Sequence, residues 1–81
     1  MKIDVLLFAA IRDLANQDSI EIEVSKDATA VDVLNAVGKH LPAIGPLLPS
    51  CRIALDSRYV GNDQVVADAT EIALIPPVSG G

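Results

Sequence analysis

The chain contains no tryptophan, one phenylalanine, one tyrosine and one cysteine among its 81 residues. A core without aromatic bulk must be built from Val, Ile, Leu and Ala side chains. The lone cysteine excludes an internal disulfide and gives no support to a secreted, cross-linked scaffold, so a cytoplasmic setting is the expectation. Positive charge is scarce as well. Six Lys and Arg face eleven Asp and Glu, a net charge of −5. Nucleic-acid binding needs clustered cations to neutralise phosphate, and this composition argues against it. An acidic surface suits a basic protein partner instead. The apolar run from Val5 to Ile11 is far too short to span a bilayer. Asp4 interrupts the approach that a signal peptide would need, so the run reads as a buried strand with no membrane partner.

What is present in quantity is aliphatic side chain: 51% of the residues are apolar. A body this small cannot hide them all, and a contiguous apolar patch left outside would mark a partner site. Residues 2–9 read as a central strand, with Ile3, Val5 and Leu7 on one side and Leu6 and Phe8 on the other. Apolar residues on both sides predict cover on both faces at that end. Residues 19–25 alternate strictly between apolar and polar, which predicts a strand with one wet face. Ala10 to Ala15 can form a helical turn between them, and Asn16-Gln17-Asp18 a reversal. Thr29 with Asp32 three residues on is the start signal of a helix. Val33, Leu34, Val37 and Leu41 form its apolar stripe, and Pro42 ends it near His40. Residues 42–50 carry three prolines and a glycine and read as a loop. Three further strands follow, at residues 51–55, 58–60 and 71–75. The order predicts an α+β domain over residues 1–75, in which a sheet of four to five strands packs on one main helix.

The last six residues, Pro76-Pro77-Val78-Ser79-Gly80-Gly81, read as an extended tail that leaves the body. Two prolines fix φ near −65° and stiffen an arm that reaches at most about 20 Å. Gly80-Gly81 has no side chains, which permits passage through a channel too narrow for a Cβ. A free α-carboxylate is a poor electrophile, because its charge repels a nucleophile. Activation must come from outside, and the activated carbon can then accept an amine or a sulfide.

Three segments give this pattern a specific resemblance: KIDVLLFAAIRDL at the start, RIALDSRYV, and EIALIPPVSGG at the end. Together they resemble the small subunits of molybdopterin synthase, a family of ubiquitin-like sulfur carriers. The fold implied is a β-grasp with a mixed sheet. The function implied is delivery of sulfur from a thiocarboxylate on Gly81 to cyclic pyranopterin monophosphate, forming the dithiolene of molybdopterin. The resemblance makes Gly81 the reacting residue, Gly80 its spacer, and Pro76, Pro77, Val78 and Ser79 the part threaded into a partner. Its implied partners are the large catalytic subunit, an adenylating enzyme similar to the ubiquitin-activating family that spends ATP, and a sulfur donor protein. The assembly implied has two carriers and two large subunits; the chain itself brings no catalytic machinery, no bound cofactor and no metal. The family often carries Asn where Asp56 stands, a Gly-Asp turn at Ala69-Thr70, and an aromatic at Ile75. A protein modifier conjugated through Gly81, or a carrier for another pathway such as thiamine synthesis, is the alternative.

Phe8, Tyr59 and Ile75 are the candidates for the exposed apolar patch, with core packing the competing reading for Phe8 and Ile75. Arg12 is placed by the resemblance at a partner contact, against an ordinary solvated arginine. Cys51 shares parity with Ile53 and Leu55 and reads as a small core hydrophobe. His40 stands alone and reads as a surface residue at a helix C-terminus. Glu21 and Glu23 read as the wet face of their strand.

Overall fold

The computed structural model describes residues 1–76. Five strands, β1 (Lys2–Leu7), β2 (Ser19–Glu23), β3 (Arg52–Leu55), β4 (Arg58–Tyr59) and β5 (Ile72–Ile75), form one sheet in the order β2-β1-β5-β3-β4. β1 pairs antiparallel with β2 and parallel with β5, so the sheet is mixed. One face is covered by helix α2 (Ala30–His40), by the short α1 (Ala9–Ala15) and by a 3₁₀ segment, Pro42–Ser50. This is the ubiquitin-like β-grasp arrangement, α+β as the element order implies.

The core is aliphatic. Val5, Leu7, Ile20, Ile22, Ile53, Ile72 and Leu74 point inward from the sheet, and Ile11, Val33, Val37 and Ile44 meet them from the helical layer. β2 keeps the alternation read from its sequence, buried only at Ile20 and Ile22. α2 starts where its capping residues place it: the Asp32 carboxylate accepts from the Thr29 N–H at 2.9 Å and from the Thr29 hydroxyl at 3.1 Å.

Two expectations change. The proline-rich segment 42–50 is not an irregular loop but a run of 3₁₀ turns. Proline's fixed φ suits this geometry, and Ile44 supplies a fully buried anchor. Gly38 on α2 lets the segment come close, since a Cβ there would lie 2.5 Å from Leu48 Cδ1. β1 is central but is covered on one face only. Leu6 is half-buried and Phe8 is 41% exposed, because all the helical cover lies on the opposite side.

The β3–β4 hairpin turns through Asp56 and Ser57, at φ 50° and 71°. Two consecutive left-handed residues are what a tight type I′ connection requires. Asp56 also fastens the chain before β5, its Oδ1 accepting from Thr70 N–H at 3.0 Å and Glu71 N–H at 2.8 Å. Asp56→Ala is expected to cost about 1–2 kcal/mol in denaturant unfolding. Asp56→Asn keeps both the acceptor oxygen and the tolerance for positive φ, and is expected to cost under about 0.5 kcal/mol.

Candidate functional site

The uncovered face of the sheet carries a groove, and the strand register explains its form. Ala54 lies opposite Tyr59 on one side and Ala73 on the other, while Arg52 lies opposite Ile75. The two alanines make a low floor. Phe8, Tyr59 and Ile75 rise around it, with Ser57 and Glu71 completing the lining. Phe8 closes the near end because β1 and β5 run parallel, Leu7 level with Leu74. The chain then kinks at Ala9, whose φ of 49° is costly for a residue with a Cβ. That bend starts α1 and leaves the Phe8 ring outside the core.

Tyr59, 54% exposed, is steadied by Arg52, whose guanidinium carbon sits 4.6 Å from the ring centre. A cation over an aromatic face contributes about 0.5–1 kcal/mol at an exposed site. It also limits the ring to one side of the groove. The polar groups in the lining are Ser57, Glu71 and the Tyr59 hydroxyl. With aromatic and aliphatic walls over a small-residue floor, the arrangement suits the docking of an apolar side chain.

Of the four residues expected to meet a partner, the structure gathers three. Phe8, Tyr59 and Ile75 share the groove, and core packing is set aside for Phe8 and for the half-buried Ile75. Arg12 stands apart on α1, exposed, beside a shallow depression with Asp13, Asn16, Gln17 and Asp18. Pro76 follows Ile75 directly and is buried. The tail, read as leaving the body from Pro76 onward, therefore does not leave it at Pro76, because the body still covers the chain one residue beyond β5. Pro77, Val78, Ser79, Gly80 and Gly81 lie outside the described residues. Ala54, Ala73 and Arg52 were not singled out from the sequence. Their signal was the parity of RIAL and EIALI, which puts small residues on the outward side of two neighbouring strands.

The other candidates take their ordinary roles. Cys51 is buried and donates its Sγ–H to the Leu47 carbonyl at 3.1 Å. Burial pushes its thiol up from the usual cysteine value, so it stays protonated and unreactive at neutral pH. His40 is exposed in the last turn of α2. Among the described residues no group of three or more His, Cys, Asp and Glu could hold a metal ion, and no helix is long and apolar enough to cross a membrane.

Comparison with known proteins places this geometry. The model of the ThiS family matches residues 5–81. The molybdopterin synthase sulfur carrier subunit of Chlamydomonas reinhardtii is 34% identical over 83 residues, covering 100% of both chains. Among solved structures, SAMP1 from Haloferax volcanii superposes with a TM-score of 0.83 at 26% identity, again over 100% of both chains. A chain from the complex of subunits 1 and 2 of the molybdopterin-converting factor of Helicobacter pylori superposes with a TM-score of 0.65 at 26% identity, with 100% of both chains covered.

Proposed function

The chain belongs to the ThiS family, and on that premise we propose that it is the sulfur-carrier subunit of a molybdopterin synthase. One observation carries the reading: the apolar groove and the root of the tail are the same place. Ile75 is a wall of the groove, and the next residue begins the segment that ends in Gly80-Gly81. A large subunit that docks on Phe8, Tyr59 and Ile75 receives the chain end without searching for it, because the tether holds the terminus within about 20 Å. The relative from Helicobacter pylori, seen as a complex of two subunits, supports a partner of that kind.

The chemistry is divided accordingly. In an adenylating enzyme the Gly81 carboxylate attacks the α-phosphorus of ATP and releases pyrophosphate. The resulting acyl-adenylate has lost the charge that repelled nucleophiles. Sulfur at the sulfide level, supplied by a donor protein, then attacks the acyl carbon; the C–O bond to AMP breaks, AMP leaves, and a thiocarboxylate remains. In the large subunit that sulfur passes to cyclic pyranopterin monophosphate, and two loaded carriers supply the two sulfurs of each dithiolene. This chain contributes the electrophilic carbon, the reach and the docking surface. The working assembly is two carriers with two large subunits, in the cytoplasm.

The test is the intact mass of the protein purified from its own cells. The expected result is a species in which one oxygen is replaced by sulfur, lost when the terminus is hydrolysed. A terminus that is never sulfurated, even with the synthase pathway active, would overturn the reading. A second reading rests on the likeness to SAMP1, a small archaeal modifier protein by name. Here the activated Gly81 ends in an isopeptide bond to lysine. The same purification distinguishes it, since conjugates would carry Gly81 on a lysine of another protein.

A further inference from the structure

β2 is the last strand of the sheet, with β1 on one side and, among the described residues, no strand on the other. Its free edge can be read residue by residue. Met1 and Val24 exchange both backbone hydrogen bonds at 2.8 Å, and Leu7 N–H donates to Asp18 O at 2.8 Å. Antiparallel ladders alternate bonded and non-bonded pairs. Ile22 and Ile20, opposite Ile3 and Val5, are therefore also bonded inward to β1. The backbone N–H and C=O groups of Ser19, Glu21 and Glu23 point the other way, toward the open edge.

The two sides of that edge differ in chemistry. On the uncovered face, Glu21 and Glu23 are exposed, with Asp4 opposite Glu21 and a single cation, Lys2, opposite Glu23. Toward the helical side, a shallow depression lies between β2 and α2, where Ile22, Ala36, Lys39 and His40 join Glu21 and Glu23 of the edge strand itself in the lining. A second copy of this chain is a poor occupant. Antiparallel pairing centred on Glu21 would set like charges directly opposite one another, which is destabilising. A cationic strand would meet opposite charge at the same positions.

We infer that the open edge of β2 accepts an extended segment of a basic protein partner as a sixth strand. Lys or Arg at alternate positions of that segment face Glu21, Glu23 and Asp4. The residues between them are small and uncharged and turn toward the depression beside α2. Backbone bonds to Ser19, Glu21 and Glu23 supply the affinity, and the carboxylates select the partner. β2 and β4 are opposite edges of the sheet, so this surface is separate from the groove of Tyr59 and stands without the sulfur-carrier reading.

The experiment uses the full isotope-labelled chain and two peptides of one composition: Lys-Thr-Lys-Val-Lys-Thr-Lys, and the blocked arrangement Lys-Lys-Lys-Lys-Thr-Val-Thr. The alternating peptide is expected to shift amide resonances along β2 and the last turns of α2. It is also expected to slow hydrogen exchange at Ser19, Glu21 and Glu23, while Ile20 and Ile22 are protected from the start. The double variant E21K/E23K should fold, because both side chains are exposed, and should bind about ten-fold more weakly or worse. No binding at millimolar peptide, equal binding by the blocked arrangement, or undiminished binding by E21K/E23K would each overturn the inference. So would binding of the alternating peptide that leaves the three edge amides exchanging as before, since charge attraction without strand addition would then account for it.

Discussion

A chain lacking Gly81 is expected to melt at the same temperature as the full chain and to support no molybdopterin formation. The first half follows from position. Gly81 has no side chain to pack, and it stands five residues beyond Pro76, the last buried residue described. The second half follows from geometry and chemistry together. On the proposed chemistry the reacting carbon would then be that of Gly80, which would stop about 3.5 Å short of the sites proposed for adenylation and transfer. A misplacement of about 1 Å can cost about a hundred-fold in rate, so a full residue is expected to reduce turnover below detection. One residue added after Gly81 should be as damaging, because the activated carbon would no longer end the chain. Gly81→Ala is expected to be milder but still harmful, since on the proposed reading a Cβ would have to enter a passage that a double glycine fits. The measurement is reconstitution with the large subunit, the adenylating enzyme, ATP, a sulfur source and the cyclic pterin, alongside a thermal melt. Full turnover by the shortened chain would leave a docking domain with an inert tail.

The second large effect concerns the groove. Phe8→Ala and Tyr59→Ala are each expected to weaken the complex with the large subunit by about 2 kcal/mol, or roughly thirty-fold in Kd. Both side chains are too exposed for their loss to unfold the domain: 41% and 54% in the free chain. Ile75→Asp should cost more, because a carboxylate would be buried without a partner at the root of the tail. Arg52→Ala should cost less, about 0.5–1 kcal/mol, if its main contribution is to hold the Tyr59 ring. Raised salt should slow association, because the chain's charge of −5 acts at long range, while dissociation follows the apolar anchors. Calorimetry on the purified subunits reads the equilibrium, and stopped-flow mixing reads the two rates. Unchanged affinity in all four variants would move the docking surface elsewhere on the molecule.

Much of the fold was legible because its signals are local. The alternation of residues 19–25 needs nothing beyond the period of a strand; it was found over Ser19–Glu23, buried at Ile20 and Ile22, while Val24 lies half-buried just past the strand end. Thr29 and Asp32 define the start of α2 within one turn of chain, and they do so in the structure. The 3₁₀ winding of residues 42–50 was missed. Proline signals the end of an α-helix, but its fixed φ serves a loop and a 3₁₀ turn equally. What distinguishes them is Ile44, whose burial depends on the packing of the segment against α1 and α2.

By itself, the sequence determined the aliphatic core, the order of the elements, the acidic balance and the Gly80-Gly81 ending, because each is a property of composition or of neighbouring residues. Tertiary structure alone decided that Phe8, Tyr59 and Ile75 share one groove while Arg12 stands apart. Those three meet only because β1 and β5 run parallel and β4 folds back on β3, which sets the register across four strands drawn from both ends of the chain. It also decided which face of β1 stays open. Leu6 and Phe8 are as apolar as the residues beneath them. They stay outside because the helical layer packs on one side of the sheet, and a one-residue step along a strand reverses the face on which a side chain lies.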